Sequence, residues 1–179
     1  MNQTADLTEK TLSREEKYQG SFLSLHVDQV QLPNGRTSFR EGVEHVAILA
    51  LDDRNNVLTV TQYRYVIGKT LLEIPAGKLE PGEDPVAGAL RELKEETGAV
   101  PDTFLPMGVT LPSPGCLSER LYLFLAKGLH MESQQLDEDE FLNVERIPFN
   151  EMVHRVMDGE IEDSKTIAAV LKAKVLLNL

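Results

Sequence analysis

Three carboxylates stand three and four residues apart in the stretch from Gly77 to Ala99, which reads GKLEPGEDPVAGALRELKEETGA. On a helix, Glu92, Glu95 and Glu96 share one side. Carboxylates this close repel one another, and a bound cation is the usual remedy. Hard oxygen ligands suit Mg²⁺ or Mn²⁺. A Gly/Pro loop leads into the acidic run. These residues read as metal-dependent chemistry on a phosphate compound.

Other residues with chemical potential lie outside this stretch. Arg64 follows a strand-like run, and its guanidinium suits a bidentate clamp on a diphosphate or terminal phosphate. Arg40, in FREGVEH, is a second cationic candidate. Glu119 could bind a sugar hydroxyl or a water. A second acidic run, DEDE at 137–140, reads either as a solvated loop or as part of the site. No Ser–His or Cys–His pairing suggests a covalent intermediate.

The elements that must position these groups are partly legible. Residues 11–39 are strand-like, with FLSLHVDQVQL alternating apolar and polar and PNG at 33–35 as a hairpin signal. This piece is too small to be stable alone. EHVAILAL is a buried-strand candidate, 52–56 a turn, 57–63 the returning strand, and 71–74 a short strand running into Pro75-Ala76-Gly77. For the helix, Asp84 fits the N-cap, Pro85 the first helical position and Gly98 the position after the end. Val86, Leu90, Leu93 and Thr97 are its expected inward stripe, with Glu92 and Glu96 on a partly exposed flank. Strands are expected at 103–110, 120–126 and in FLNVERI, separated in the first case by the loop LPSPGCLSE. Helices are expected near 150–157 and at Ser164–Leu177, the latter with an inward stripe of Ile167, Val170, Leu171 and Leu177. Mixed strands and helices without regular βα alternation mean α+β, a layered sheet–helix sandwich.

Composition narrows the class further. At 179 residues, 41% of them apolar, the chain is one domain with at most a small appendage. Its net charge of −11, with no basic stripe, argues against a nucleic-acid partner. No apolar run reaches the length of a membrane span. The opening MNQTADLTEK lacks the order of a signal peptide, and Cys116 is alone, so a reducing cytoplasm is expected.

Spelled out, the motif is Gly77, five residues, Glu83, seven residues, then Arg91-Glu92-Leu93-Lys94-Glu95-Glu96-Thr97-Gly98-Ala99. This resembles the Nudix box of the Nudix hydrolases. Ala99 is the one soft departure, where that family prefers a larger aliphatic residue. The runs QYRYVIGKTLLEIPAGKLEPGED, SPGCLSE, LDEDEFLNVERI and DSKTIAAVL are similar to ADP-ribose pyrophosphatases and related nucleoside-diphosphate-sugar hydrolases. The resemblance implies an α/β/α sandwich. It also implies an N-terminal β extension (1–42) exchanged across a homodimer, ahead of a hydrolase domain (43–179). It implies Mg²⁺, with Mn²⁺ as substitute, bound by Glu92, Glu96 and the Ala76 carbonyl, with Glu95 sharing metal or water contacts. Glu83 and Arg91 would be structural. Glu138 would be the general base and Glu140 a metal-linked acid, with Asp137 and Asp139 as alternatives in register. ADP-ribose would give AMP and ribose 5-phosphate. The alternatives are GDP-mannose or another nucleotide sugar, and a non-catalytic ADP-ribose sensor, against which the intact acids and the negative charge both speak.

Overall fold

The computed structural model describes residues 10–20, 24–31, 35–40, 44–64, 67–115, 117–136 and 142–178. Two compact units share the chain. The first is Met1–Glu44 with Ser113–Glu119, and the second is His45–Pro112 with Arg120–Leu179.

In the first unit, β1 (Lys10–Gln19), β2 (Ser24–Gln31) and β3 (Thr37–Arg40) form an antiparallel sheet in that order. Gln31 pairs with Thr37 across the expected hairpin. Arg14 grips Asp28 through Nε and Nη2, at 2.6 Å each.

The second unit is built on a seven-stranded sheet. Its elements are β4 (Glu44–Leu51), β5 (Asn56–Arg64), β6 (Lys69–Glu73), β7 (Ala76–Lys78), α1 (Pro85–Thr97), β8 (Ala99–Thr110), β9 (Arg120–Met131), β10 (Leu142–Pro148), α2 (Phe149–Met157) and α3 (Ser164–Leu177). The main strand order is β10-β5-β4-β9-β8, with β6 on β5 and β7 on β4. Val46, Ile48 and Ala50 of β4 pack with Ala89 and Leu93 of α1. Their neighbours Ala47, Leu49 and Leu51 pack with α2 and α3 through Met152, Val153, Ala169 and Val170. The alternation of a strand thus puts α1 on one face and α2 with α3 on the other. The result is the α/β/α layering expected.

Several expectations are corrected. Val86 is 43% exposed; the buried side of α1 is Gly88, Ala89, Leu93, Glu96 and Thr97. Gly88 is buried because Leu79 and Glu83 lie where its Cβ would be. On α3 the buried residues are Thr166, Ala169, Val170 and Ala173, while Ile167, Leu171 and Leu177 pack around them half-exposed. Strand β8 starts directly after α1, not at 103, and contains Pro101 and Pro106. Both prolines are tolerated because β8 ends the sheet order and shifts register between Pro106 and Gly108. Ala76–Lys78 is itself a strand, paired with His45, Val46 and Ala47.

Candidate active site

Helix α1 is held at both ends as the sequence indicates. Asp84 Oδ1 accepts from Val86 N at 3.0 Å and Ala87 N at 3.1 Å, with Pro85 following. Gly98 closes the helix at φ 72, a left-handed conformation that glycine adopts without strain, and its N–H reaches Lys94 O at 2.8 Å.

The far side of this end is clasped by the chain leaving β9. Glu132 N bonds Gly98 O at 2.7 Å, Gln135 N bonds Glu95 O at 3.0 Å, and Gln134 Nε2 donates to Glu96 O. The last carbonyls of α1, orphaned within the helix, are thereby satisfied. The acidic run 137–140 begins two residues beyond this clasp. Glu138, Glu140, Asp137 and Asp139 themselves lie outside the described residues.

Arg91 is the hub of the acidic face. Its Nε and Nη2 bond the two oxygens of Glu83 at 3.0 and 2.9 Å, and Nη2 also reaches Lys78 O at 3.1 Å. Nη1 bonds Glu92 Oε1 at 2.9 Å and Glu95 Oε2 at 2.8 Å. Loop and helix are tied together by this guanidinium, the structural role the resemblance implies. Hydrogen bonds from Arg91, then from Glu80 N, hold the Glu83 carboxyl down at about 2. The same bonds to Glu83 raise Arg91 above its ordinary value, against its partial desolvation.

Glu92 and Glu96 approach the same dipeptide. Glu96 Oε2 accepts the Ala76 N–H at 3.0 Å. The Glu92 carboxyl group sits where a Cβ of residue 77 would be, so with Glu92 in this position only glycine fits there. Glu96 is 2% exposed, more buried than the partly open flank expected. These hard oxygen donors beside the Ala76–Gly77 backbone, which could add the Ala76 carbonyl, fit a divalent cation. In this state Glu92 and Glu95 face Arg91, and among the described residues no three His, Cys, Asp or Glu side chains converge as a metal set.

Arg64 is placed close enough to Glu96 to feel its charge, but its fork is committed to Glu73, with Nε–Oε1 and Nη2–Oε2 both at 2.7 Å. Glu73 is buried and also takes Lys165 Nζ. Thr166, buried beside Lys165, accepts from Ile74 N at 2.9 Å and donates to Asp163 Oδ2 at 2.6 Å. None of Glu73, Lys165 or Thr166 was singled out from sequence. The available signal was a glutamate embedded in the apolar run LLEIPAG, since a buried charge demands a partner. The structure thus brings Glu92 and Glu96 to Ala76–Gly77, ties Glu95 to Glu92 through Arg91, and sets Arg64 on Glu73. Arg40, in β3, and Glu119, in the segment Ser113–Glu119, belong to the first unit.

Residues 43–170 match the NUDIX domain, and residues 9–41 match the nucleoside diphosphate sugar hydrolase N-terminal domain. The chain belongs to the Nudix family of hydrolases. Members of this family generally depend on a divalent metal ion. Among its relatives, the ADP-ribose pyrophosphatase of Bacillus subtilis (strain 168) is 41% identical over 92% of this chain and 91% of its own. The methanol dehydrogenase activator of Bacillus methanolicus is 43% identical over 90% of each chain. The GDP-mannose pyrophosphatase of Yersinia enterocolitica is 34% identical over 72% of this chain and 73% of its own. A crystal structure of an ADP compounds hydrolase superposes with a TM-score of 0.78 at 23% identity, covering 98% of this chain and 97% of that one, which supports the fold. Among the described residues, no helix is long and apolar enough to cross a membrane.

Proposed function

We propose that this protein hydrolyses the diphosphate bond of ADP-ribose and related nucleoside diphosphate sugars, giving the nucleoside monophosphate and a sugar phosphate. The observation that carries this reading is the approach of Glu92 and Glu96 to Ala76–Gly77, in a chain 41% identical to an ADP-ribose pyrophosphatase. Glu92, Glu96 and the Ala76 carbonyl would hold Mg²⁺, or Mn²⁺ in its place, with Glu95 and Glu140 contributing. The metal, when bound, neutralises the diphosphate and lowers the pKa of a water. Glu138 takes a proton from the attacking water. The water oxygen forms a new bond to one phosphorus, and the bond from that phosphorus to the bridging oxygen breaks. The leaving phosphate keeps the bridging oxygen. Arg64 meets a phosphoryl group, while Arg40 and Glu119 contact the substrate elsewhere. The clasp of Gln134 and Gln135 on the end of α1 supports Glu138 as base, because it fixes the chain just before the acidic run to the helix that carries Glu92.

We further propose that residues 1–42 form a β extension exchanged in a homodimer, ahead of the hydrolase domain at 43–179, and that the enzyme works in the cytoplasm. The match of residues 9–41 to an N-terminal domain of sugar hydrolases supports the extension. A panel of ADP-ribose, GDP-mannose, UDP-glucose, NADH and ATP, read as phosphate released after phosphatase treatment, tests the reading. ADP-ribose should be cleaved fastest. Turnover of ATP alone would overturn it. The 43% identity to a methanol dehydrogenase activator favours a second reading, in which the chain stimulates such a dehydrogenase. An unchanged dehydrogenase rate on mixing the two proteins rules that out.

A further inference from the structure

Glu73 carries two cations where one would neutralise it. Its carboxyl group is 1% exposed and is gripped bidentately by Arg64, while Lys165 Nζ also bonds Oε2. The two cations differ in freedom. Lys165 is 14% exposed and is also held by Asp163 Oδ1 at 3.0 Å. Asp163 is itself fixed as the N-cap of α3, where it accepts from Thr166 N at 3.0 Å, so the helix N-terminus helps compensate its charge. Arg64 is 39% exposed, sits at the last residue of β5, and feels the charge of Glu96. One partner is anchored and the other borders the acidic site.

We propose that Lys165 is a reserve counterion, which keeps Glu73 neutralised when Arg64 turns from Glu73 to a phosphoryl group of the substrate. The inference rests on the reading that a nucleoside diphosphate is cleaved beside Glu92 and Glu96. Its physical basis is the cost of stranding a buried charge. With Arg64 as sole partner, the departure of the guanidinium would leave a buried carboxylate uncompensated, and breaking such a pair is strongly unfavourable. With Lys165 in place, Arg64 exchanges one oxyanion fork for another, and its planar donors suit both. Burial pushes the Glu73 carboxyl up, yet Arg64 and Lys165 together outweigh it and hold it below the ordinary range. When Arg64 leaves, Lys165 remains to oppose the effect of burial on Glu73, which can then take Arg64 back. Lys165 is a positioning residue in this scheme, acting through Glu73 and never touching substrate.

The test measures binding by calorimetry in Mg²⁺, with two probes that report without turnover. One is α,β-methylene-ADP-ribose, whose bridging CH₂ resists cleavage, and the other is inorganic pyrophosphate. Arg64→Ala should weaken both. Lys165→Met should weaken both by about tenfold or more, because Arg64 can no longer leave Glu73. Adding Glu73→Gln to Lys165→Met should restore binding to within about threefold of wild type, since an amide needs no counterion. A merely structural Lys165 would lower the melting temperature and leave binding unchanged. Wild-type binding by Lys165→Met, no recovery in the double variant, or wild-type binding by Arg64→Ala would each overturn the proposal. Should Lys165→Met fail to fold, Glu73→Gln alone decides: releasing Arg64 should tighten pyrophosphate binding, and weakened binding overturns the proposal. A wild-type protein that binds pyrophosphate through Arg64 but cleaves no nucleotide sugar would sink the functional reading and leave this one standing.

Discussion

Gly77→Ala separates fold from function at the acidic site. A Cβ built on residue 77 falls within the Glu92 carboxyl group, far inside the 3.0 Å that real Cβ atoms keep from other heavy atoms. Ordinary contact starts near 3.4 Å, so the carboxyl must retreat by about 1 Å or more. It is the far end of a flexible side chain, and a rotamer change of order 0.5–1.5 kcal/mol releases the overlap. The melting temperature in EDTA should therefore fall by only a few degrees, roughly in proportion to that cost. Chemistry is less forgiving, since misplacing a group in a reacting constellation by about 1 Å can cost around 10²-fold. We expect Gly77→Ala to weaken Mg²⁺ or Mn²⁺ binding, measured calorimetrically, and to lower kcat by about that factor. Combining it with Glu92→Ala should cost little beyond Glu92→Ala alone, because both act through one carboxylate. Unchanged metal titration and turnover in Gly77→Ala would refute Glu92 as a ligand held against the glycine.

Four further outcomes are expected. Glu96→Gln should cut kcat by orders of magnitude while circular dichroism and melting stay close to wild type, since an amide oxygen can still accept the Ala76 N–H; near-normal turnover would remove Glu96 from the ligand set. The Glu83 carboxyl is held below its ordinary 4.5, at about 2, so its contribution to stability is fully present above pH 4.5 and fades as pH falls toward 2. The melting-temperature gap between wild type and Glu83→Gln should accordingly close over that window, and a gap that widened on acidification would contradict the Arg91–Glu83 bond as its source. Glu138→Gln should lower kcat with KM nearly fixed, whereas Glu140→Gln should also raise the Mg²⁺ requirement; silence of both would hand the base role to Glu95. Light scattering should return about twice the 20.0 kDa chain mass, and an active monomer at micromolar concentration would exclude strand exchange as a requirement.

What could be read from sequence was what local rules encode. The caps of α1 were legible because Asp84, Pro85 and Gly98 each serve a backbone need set by position alone. Helix α3 spans the expected Ser164–Leu177, and β4 declared itself as an apolar run long enough to be covered on both faces. The misreadings have a common origin in tertiary packing. Helical spacing put Val86 in the inward stripe, but the inner face of α1 there is made by Gly88 and Ala89, because Leu79 and Glu83 close over it. Glu96 looked like a flank residue, and its burial depends on β7, three residues long and marked by no alternation. Pro101 hid the start of β8, where a proline is tolerated because the strand lies at the end of the sheet. The partners of Glu73 are nine and ninety-two residues away, and no local pattern links them.

These contacts divide the second unit into two charge regimes with opposite needs. Around Arg91, three carboxylates share one guanidinium: Glu83, Glu92 and Glu95 all bond to it. Five N–H donors can satisfy the hydrogen bonding of that group, but a single positive charge cannot neutralise it. Around Glu73 the charges are closer to balance, with Arg64 and Lys165 meeting on one carboxylate and Asp163 holding Lys165 as well. A deficit of positive charge beside Ala76–Gly77 attracts a divalent cation. Arg64, the more exposed cation on Glu73, would suit a phosphoryl oxygen a short way along the same segment. A metal-bound diphosphate carries both complements in one ligand, the cation and the oxyanion. Crowded carboxylates alone would equally describe a structural metal site. The arginine held at the other end of Glu73-Ile74-Pro75-Ala76 is what turns the reading toward an anionic substrate.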